Sequence, residues 1–84
     1  MYSIEIYHKA YEFIASLDSK NQALIHSKLE DLKQGNFSKD KALKGRYKGK
    51  FRKRAGNFRI IYHKFQDKLI ICVIAVGLRK DIYD

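Results

Sequence analysis

The segment FRKRAGNFRIIY (residues 51–62) decides the fold of this 84-residue chain. A basic run at residues 51–54 and an apolar-rich run at residues 57–62 flank a short connection that contains glycine, which is typical of a β-hairpin. Ala55 and Gly56 are the predicted two-residue turn. The pairs that this turn predicts across the hairpin are Arg54–Asn57, Arg52–Arg59, Lys50–Ile61 and Lys48–His63.

Side chains alternate between the two faces of a sheet, so this register separates charged from apolar residues. One face is predicted to gather Lys48, Lys50, Arg52, Arg54, Arg59 and His63. The other is predicted to pack on helices with Tyr47, Phe51, Phe58, Ile60 and Tyr62. Arg52 opposite Arg59 is unfavourable because like charges repel across a sheet. A phosphate site would explain the pair, since the guanidinium fork matches phosphate oxygens. A solvated basic face that only maintains solubility explains it equally well.

Before the hairpin, the sequence predicts one strand and two helices. Apolar residues alternate over residues 2–7, as in a strand with one covered face. Residues 10–17 then carry an apolar stripe of helical period, and Asp18 begins a second helix that ends at Gly35. Two antiparallel helices joined by a tight turn are therefore expected.

After a polar loop over residues 36–41, the remaining chain predicts strands at 47–54, 57–64 and 69–76. The predicted fold class is α+β: an N-terminal strand, a two-helix antiparallel hairpin, and a three-stranded antiparallel meander that completes a four-stranded sheet. The chain is long enough for one domain and too short for two, so residues 1–84 are expected to form a single domain.

Charge and cysteine content limit the function. Eighteen Lys and Arg against nine Asp and Glu give a net charge of +9, which favours a polyanionic partner. Eleven of those basic residues lie within residues 39–64, where Asp40 is the only acid. A single cysteine, Cys72, excludes an internal disulfide, and three dispersed histidines do not predict a metal site. The longest apolar run is eight residues and no signal peptide is visible, so a soluble cytoplasmic protein is expected.

Three segments resemble the RelE/ParE superfamily of bacterial and archaeal type II toxins: LKG at 43–45, the hairpin at 51–62, and VGLRKDIY at 76–83. The predicted order of elements agrees, so the resemblance covers essentially the whole chain. It implies a RelE-like toxin domain that cleaves mRNA, typically on the ribosome, and so inhibits translation. It also implies a cognate antitoxin, RelB-like or similar, that wraps the toxin and blocks its basic cleft. No cofactor and no membrane partner are implied.

The resemblance to RelE-type enzymes also implies which residues act. The catalytic set falls on Lys50, Arg52, Arg59, Arg79 and Tyr83. Further contacts to RNA are expected from Lys44, Arg46, Lys48, Arg54 and His63. Arg52 stands where such enzymes usually have a lysine, and an arginine is a poor proton acceptor. Lys48 or Lys50 is then the candidate general base.

Two other functions remain open at this point. ParE-type relatives poison DNA gyrase and lack the ribonuclease residues, whereas Arg79 and Tyr83 are both present here. A non-enzymatic domain that binds RNA or the ribosome also agrees with a basic sheet face. Phe51 and Phe58 are predicted on the core face, so the stacked aromatic residues of common sheet-based RNA binders are missing.

Overall fold

A five-stranded sheet with two helices forms the protein, whose computed structural model describes residues 1–80. The elements are β1 (Ser3–Ile6), α1 (His8–Ala15), α2 (Ser19–Lys33), β2 (Lys41–Ala42), β3 (Phe51–Ala55), β4 (Phe58–Phe65) and β5 (Ile70–Leu78), with a 3-10 helix at Gly45–Tyr47. The strand order is β1-β5-β4-β3-β2, and only β1 and β5 are parallel. The α+β class and the antiparallel meander are confirmed. The two-residue edge strand β2 makes the sheet five-stranded rather than four-stranded, because Lys41 and Ala42 pair with β3.

The hairpin turn lies one residue later than predicted. Ala55 pairs with Phe58, so Gly56 and Asn57 form the turn. Gly56 has φ of 60°, the positive value that a type II′ hairpin turn needs at its first position. Ala55 stays in the strand because it is fully buried in the core. The shift moves each cross-strand partner by two residues, which preserves the face of every side chain.

The strand predicted from Tyr47 begins only at Phe51. Residues 45–47 form the 3-10 helix, and the turn that follows contains Gly49 with φ of 87°. Positive φ at Gly45 and Gly49 is incompatible with an extended strand, so this segment turns. The predicted strand positions of Lys48 and Lys50, and their pairing with His63 and Ile61, are therefore wrong. Arg52 is the partner of Ile61 instead.

Both helices pack on one face of the sheet. The predicted cap is present, since the Asp18 carboxylate accepts a hydrogen bond from the backbone N–H of Asn21. Gly35 follows the C-terminal end of α2 with φ of 81°, the left-handed conformation that commonly terminates a helix. The core combines Ala10, Ile14, Ile25, Leu29 and Leu32 of the helices with Ala55, Phe58, Ile60, Tyr62, Ile71, Val73 and Val76 of the sheet. In residues 1–80, no helix has both the length and the apolar character to cross a membrane.

The opposite face of the sheet is covered by neither helix. We call it the arginine face, and its β3 and β4 residues are Arg52, Arg54, Arg59, Ile61 and His63. Cys72 of β5 pairs with His63 and is buried, as predicted for a thiol within an apolar strand. The charged and apolar residues of the hairpin thus separate as predicted, although the individual pairs differ.

Candidate nucleic-acid site on the arginine face

Arg59 lies at the centre of a row of three residues across the sheet. Its partner on β3 is Arg54, and its partner on β5 is Gly77. The like-charged pair is thus Arg54 with Arg59, not the predicted pair of Arg52 with Arg59. Cross-strand neighbours have Cβ atoms about 4.5–5.5 Å apart, so a side chain at Gly77 would occupy the space beside Arg59. Gly77 adds no side chain to the arginine face beside Arg59.

Arg52 is a largely covered arginine. Its side chain lies on the arginine face between Ile61 of β4 and Lys41 of β2, and the residue is only 8% exposed. A basic face that served solubility alone would leave its charges in water, where hydration stabilises them. Removing a guanidinium from water costs free energy that other interactions must offset. Burial of Arg52 therefore favours a built site over a solvated face.

A cavity of about 560 Å³ lies at the end of this face. Asn57, Arg59, Leu78, Arg79 and Lys80 line it. The backbone N–H of Arg79 donates to the carbonyl of Asn57 at 2.8 Å, which holds the end of β5 against the β3–β4 turn. Three cations and no carboxylate line the cavity among residues 1–80. This arrangement can bind a phosphate, because anions are stabilised where several cations converge.

The remaining predicted site residues lie in the connection between β2 and β3 or farther along β4. Lys44, Arg46 and Lys48 are exposed in that connection, and Lys50 is half-buried directly before β3. The guanidinium of Arg46 lies over the ring of Tyr47, 5.5 Å from its centroid. His63 stacks on Phe65 at 4.2 Å between ring centroids. Tyr83 lies outside the described residues.

The structure therefore brings together four of the predicted site residues on or at the end of the arginine face: Arg52, Arg54, Arg59 and Arg79. Sequence reasoning missed three residues of the cavity, namely Asn57, Leu78 and Lys80. The signal for Asn57 and Lys80 was their position beside Gly56 and Arg79 in the segments that carry the family resemblance. Among residues 1–80, no group of three His, Cys, Asp or Glu residues is placed to hold a metal ion.

A buried polar network lies directly behind the arginine face. Lys53, between Arg52 and Arg54 in sequence, points to the helix side and pairs with Asp40, Nζ to Oδ1 at 3.0 Å. Its ammonium also donates to the carbonyl of Asn36 at 3.2 Å, and the hydroxyl of Tyr62 donates to Oδ2 of Asp40 at 2.6 Å. Burial, and then the hydrogen bond to Asp40, raise the pKa of Tyr62 well above its usual range. The network anchors the α2–β2 connection to the strand that carries Arg52 and Arg54.

The fold is shared with RelE and YoeB toxins of known structure. A chain of the archaeal RelE–RelB complex from Pyrococcus horikoshii OT3 superposes with a TM-score of 0.81 at 18% identity, over 96% of this chain and 98% of that chain. The isolated RelE toxin of E. coli gives a TM-score of 0.74 at 22% identity, over 93% and 84%. A chain of the YoeB–YefM complex from Staphylococcus aureus gives 0.73 at 16% identity, over 94% and 98%. No curated protein sequence matches the chain.

The sequence profile of the family described as the ParE toxin of the type II toxin–antitoxin system parDE matches residues 4–83. That match spans nearly the whole chain, so the chain belongs to this toxin family. Membership in the RelE/ParE superfamily, expected from the resemblance, is confirmed.

Proposed function

We propose that this toxin is an endoribonuclease that cleaves mRNA through the arginine face. The convergence of Arg59 and Arg79 on one cavity carries the proposal. Arg54, the cross-strand partner of Arg59, and the covered Arg52 lie on the same face of the sheet. A phosphodiester is the anion that guanidinium groups in such an arrangement would bind. RNA supplies its own nucleophile, the 2′-hydroxyl, so the reaction does not depend on a metal ion.

In the proposed reaction, the 2′-hydroxyl attacks the adjacent phosphate and the 5′-oxygen of the next nucleotide leaves. The products are a 2′,3′-cyclic or 3′ phosphate and a 5′-hydroxyl. Arg59 and Arg79, which line the same cavity, are suited to stabilise the charge that develops on the phosphate. An arginine is a poor proton acceptor, so Arg52 is proposed to bind the phosphate rather than to act as the base. Lys50 is the proposed base, and Tyr83 is proposed to stack on a nucleotide or to transfer a proton.

The proposed partners of the protein would bind the same arginine face. The complexes from P. horikoshii, E. coli and S. aureus pair RelE with RelB and YoeB with YefM. We infer that this chain likewise binds a cognate antitoxin, RelB-like or similar, and that an acidic segment of it covers the arginine face. Such a segment would offset the net charge of +9. The proposed substrate is mRNA on the ribosome, in the cytoplasm.

Gyrase poisoning is the second candidate, because the matching family is described by the name ParE. In that case the basic surface would contact gyrase or DNA, and RNA would remain intact. The cluster of Arg59 with Arg79 favours ribonuclease activity, since phosphate stabilisation needs cations at one point rather than spread over a surface.

Addition of the purified toxin to a translating lysate, followed by mapping of RNA ends, separates the candidates. The wild-type protein is expected to cut mRNA, and Arg59→Ala is expected to lose the activity while remaining folded. Arg59→Lys keeps the charge without the fork, so partial activity is expected. The control Lys20→Ala removes one exposed positive charge on α2 and should cut normally. Intact mRNA with gyrase-dependent DNA breaks would identify the ParE-like activity instead, and RNA binding without cuts would identify a binding domain.

A further inference from the structure

A second cleft, of about 330 Å³, lies at the open edge of β3. Strand β2 pairs with Phe51 and Arg52, so within residues 1–80 no strand pairs with this edge of β3 at the next two residues. The walls of the cleft carry Lys28 and Asp31 of α2, Lys39 of the α2–β2 connection and Arg54 of β3, together with the Lys53–Asp40 pair. We call this space the edge cleft.

The edge cleft keeps a positive charge after its internal ion pair is counted. Lys53 and Asp40 neutralise each other at 3.0 Å and are nearly inaccessible to solvent. Three cations then face one carboxylate, that of Asp31, among the lining residues. The cleft therefore attracts an anion, although it is not part of the cavity beside Arg59.

Arg54 connects the edge cleft to the candidate active site. It lines the cleft, and its partner across the hairpin is Arg59, which lines the cavity. Facing residues of an antiparallel pair have Cα atoms about 4.5–5.5 Å apart. The cleft lies on the helix side of the sheet and the cavity on the arginine face, so this pair of arginines connects them around the edge of β3. A linear polyanion that crosses this edge can contact both.

The position of Lys39 is fixed in a strained conformation. Its φ of 73° is left-handed, a backbone conformation that is unfavourable for a residue with a Cβ. The carboxamide oxygen of Asn36 accepts hydrogen bonds from the backbone N–H and the hydroxyl of Ser38, and the next residue is the buried Asp40. The surrounding contacts hold Lys39 at the mouth of the cleft despite that strain, and retained strain is typical of functional segments.

We propose that the edge cleft binds an RNA phosphate that flanks the cleaved one, through Lys28, Lys39 and Arg54. The inference rests on the proposed ribonuclease function and extends it, because it gives the substrate strand a path past the active site. Flexible lysines suit this role, since they bind phosphates as point charges without selecting a base. RNA longer than the few nucleotides at the active site should then bind more tightly.

The test measures the affinity of labelled 2′-O-methyl RNA, which cannot be cleaved, as a short and a long oligonucleotide sharing one central sequence. The variant Lys28→Gln/Lys39→Gln is compared with the control Lys9→Gln/Lys20→Gln, which removes two exposed helix lysines outside the cleft. Loss of this phosphate contact should weaken long-RNA binding about five-fold to ten-fold at low salt and reduce the slope of log affinity against log salt by about 0.7. Short-RNA binding should match that of the control.

Equal losses in the variant and the control, or equal losses for short and long RNA, would overturn the proposal. A variant that binds RNA normally but loses affinity for a polyglutamate peptide would overturn it in favour of a protein partner. If the wild-type protein binds neither oligonucleotide, the ribonuclease function fails together with the cleft. If the wild type binds both and the variant is unchanged, only the cleft assignment fails.

Discussion

The Asp40→Asn substitution tests the buried network behind the arginine face. It removes the carboxylate charge and leaves the ammonium of Lys53 in a site where the two side chains are 5% and 7% exposed. Breaking a buried ion pair by removing one partner costs about 3–5 kcal/mol. A chain of 84 residues is stable by about 4–13 kcal/mol in total, so the loss is a large fraction. The melting temperature should fall by about 12 °C or more.

Thermal unfolding followed by far-UV circular dichroism measures this loss, and a double-mutant cycle identifies its cause. Lys53→Met should destabilise the protein because it leaves Asp40 charged and buried. The double variant removes both charges, so its loss should be smaller than the sum of the single losses by about 2 kcal/mol. A fall below about 4 °C for Asp40→Asn, or additive losses, would refute the reasoning, since a solvent-exposed pair behaves in that way.

Three further changes are expected to have defined effects. The pKa of Tyr62 lies above its ordinary value of 10.0, so the folded state retains this proton while the unfolded state loses it. The free energy of unfolding should therefore fall as the pH rises above about 10, and it should fall less in Tyr62→Phe. Urea denaturation at several pH values measures both. Gly56→Ala should cost about 1–2 kcal/mol, because φ is 60° and the added Cβ would lie 2.8 Å from Cδ2 of Leu24; an unchanged melting temperature would contradict this. Arg54→Thr should raise stability by about 0.5 kcal/mol at low salt by relieving the repulsion with Arg59, yet weaken RNA binding; stability that does not depend on salt would argue against this repulsion.

Alternation along the hairpin predicted which side chains share a face, and this part of the site was accessible from sequence. Side chains alternate between the two faces of a strand, so a shift of the pairing by two residues leaves Arg52, Arg54 and Arg59 on the same face. The pair itself was mispredicted, because Ala55 is compatible with both a turn and a strand. Burial of Ala55 in the core that the helices form with the sheet favours the strand, and the local sequence does not show that burial.

The conformation of the segment before β3 could not be predicted from the sequence. Basic residues at alternate positions from Lys44 to Arg52 resemble a strand, yet Gly45 and Gly49 adopt positive φ and the chain turns. Glycine is compatible with both conformations, so only tertiary structure distinguishes them. Lys53 gave an overlooked signal, since its parity places it on the core face and Asp40 is the only nearby acid in sequence. A buried lysine requires a partner, and Asp40 provides it at 3.0 Å.

The most direct test of the central claim is induced expression of the toxin in cells, with the 5′ ends of mRNA mapped across the transcriptome. The wild-type chain is expected to produce new 5′-hydroxyl ends at discrete sites in mRNA, as is the control Lys20→Ala. Arg59→Ala should abolish those ends while the protein remains folded, and Tyr83→Phe should reduce them. Full cleavage by a folded Arg59→Ala variant, or intact mRNA accompanied by gyrase-dependent DNA breaks, would contradict the assignment of the arginine face as an RNA-cleaving site.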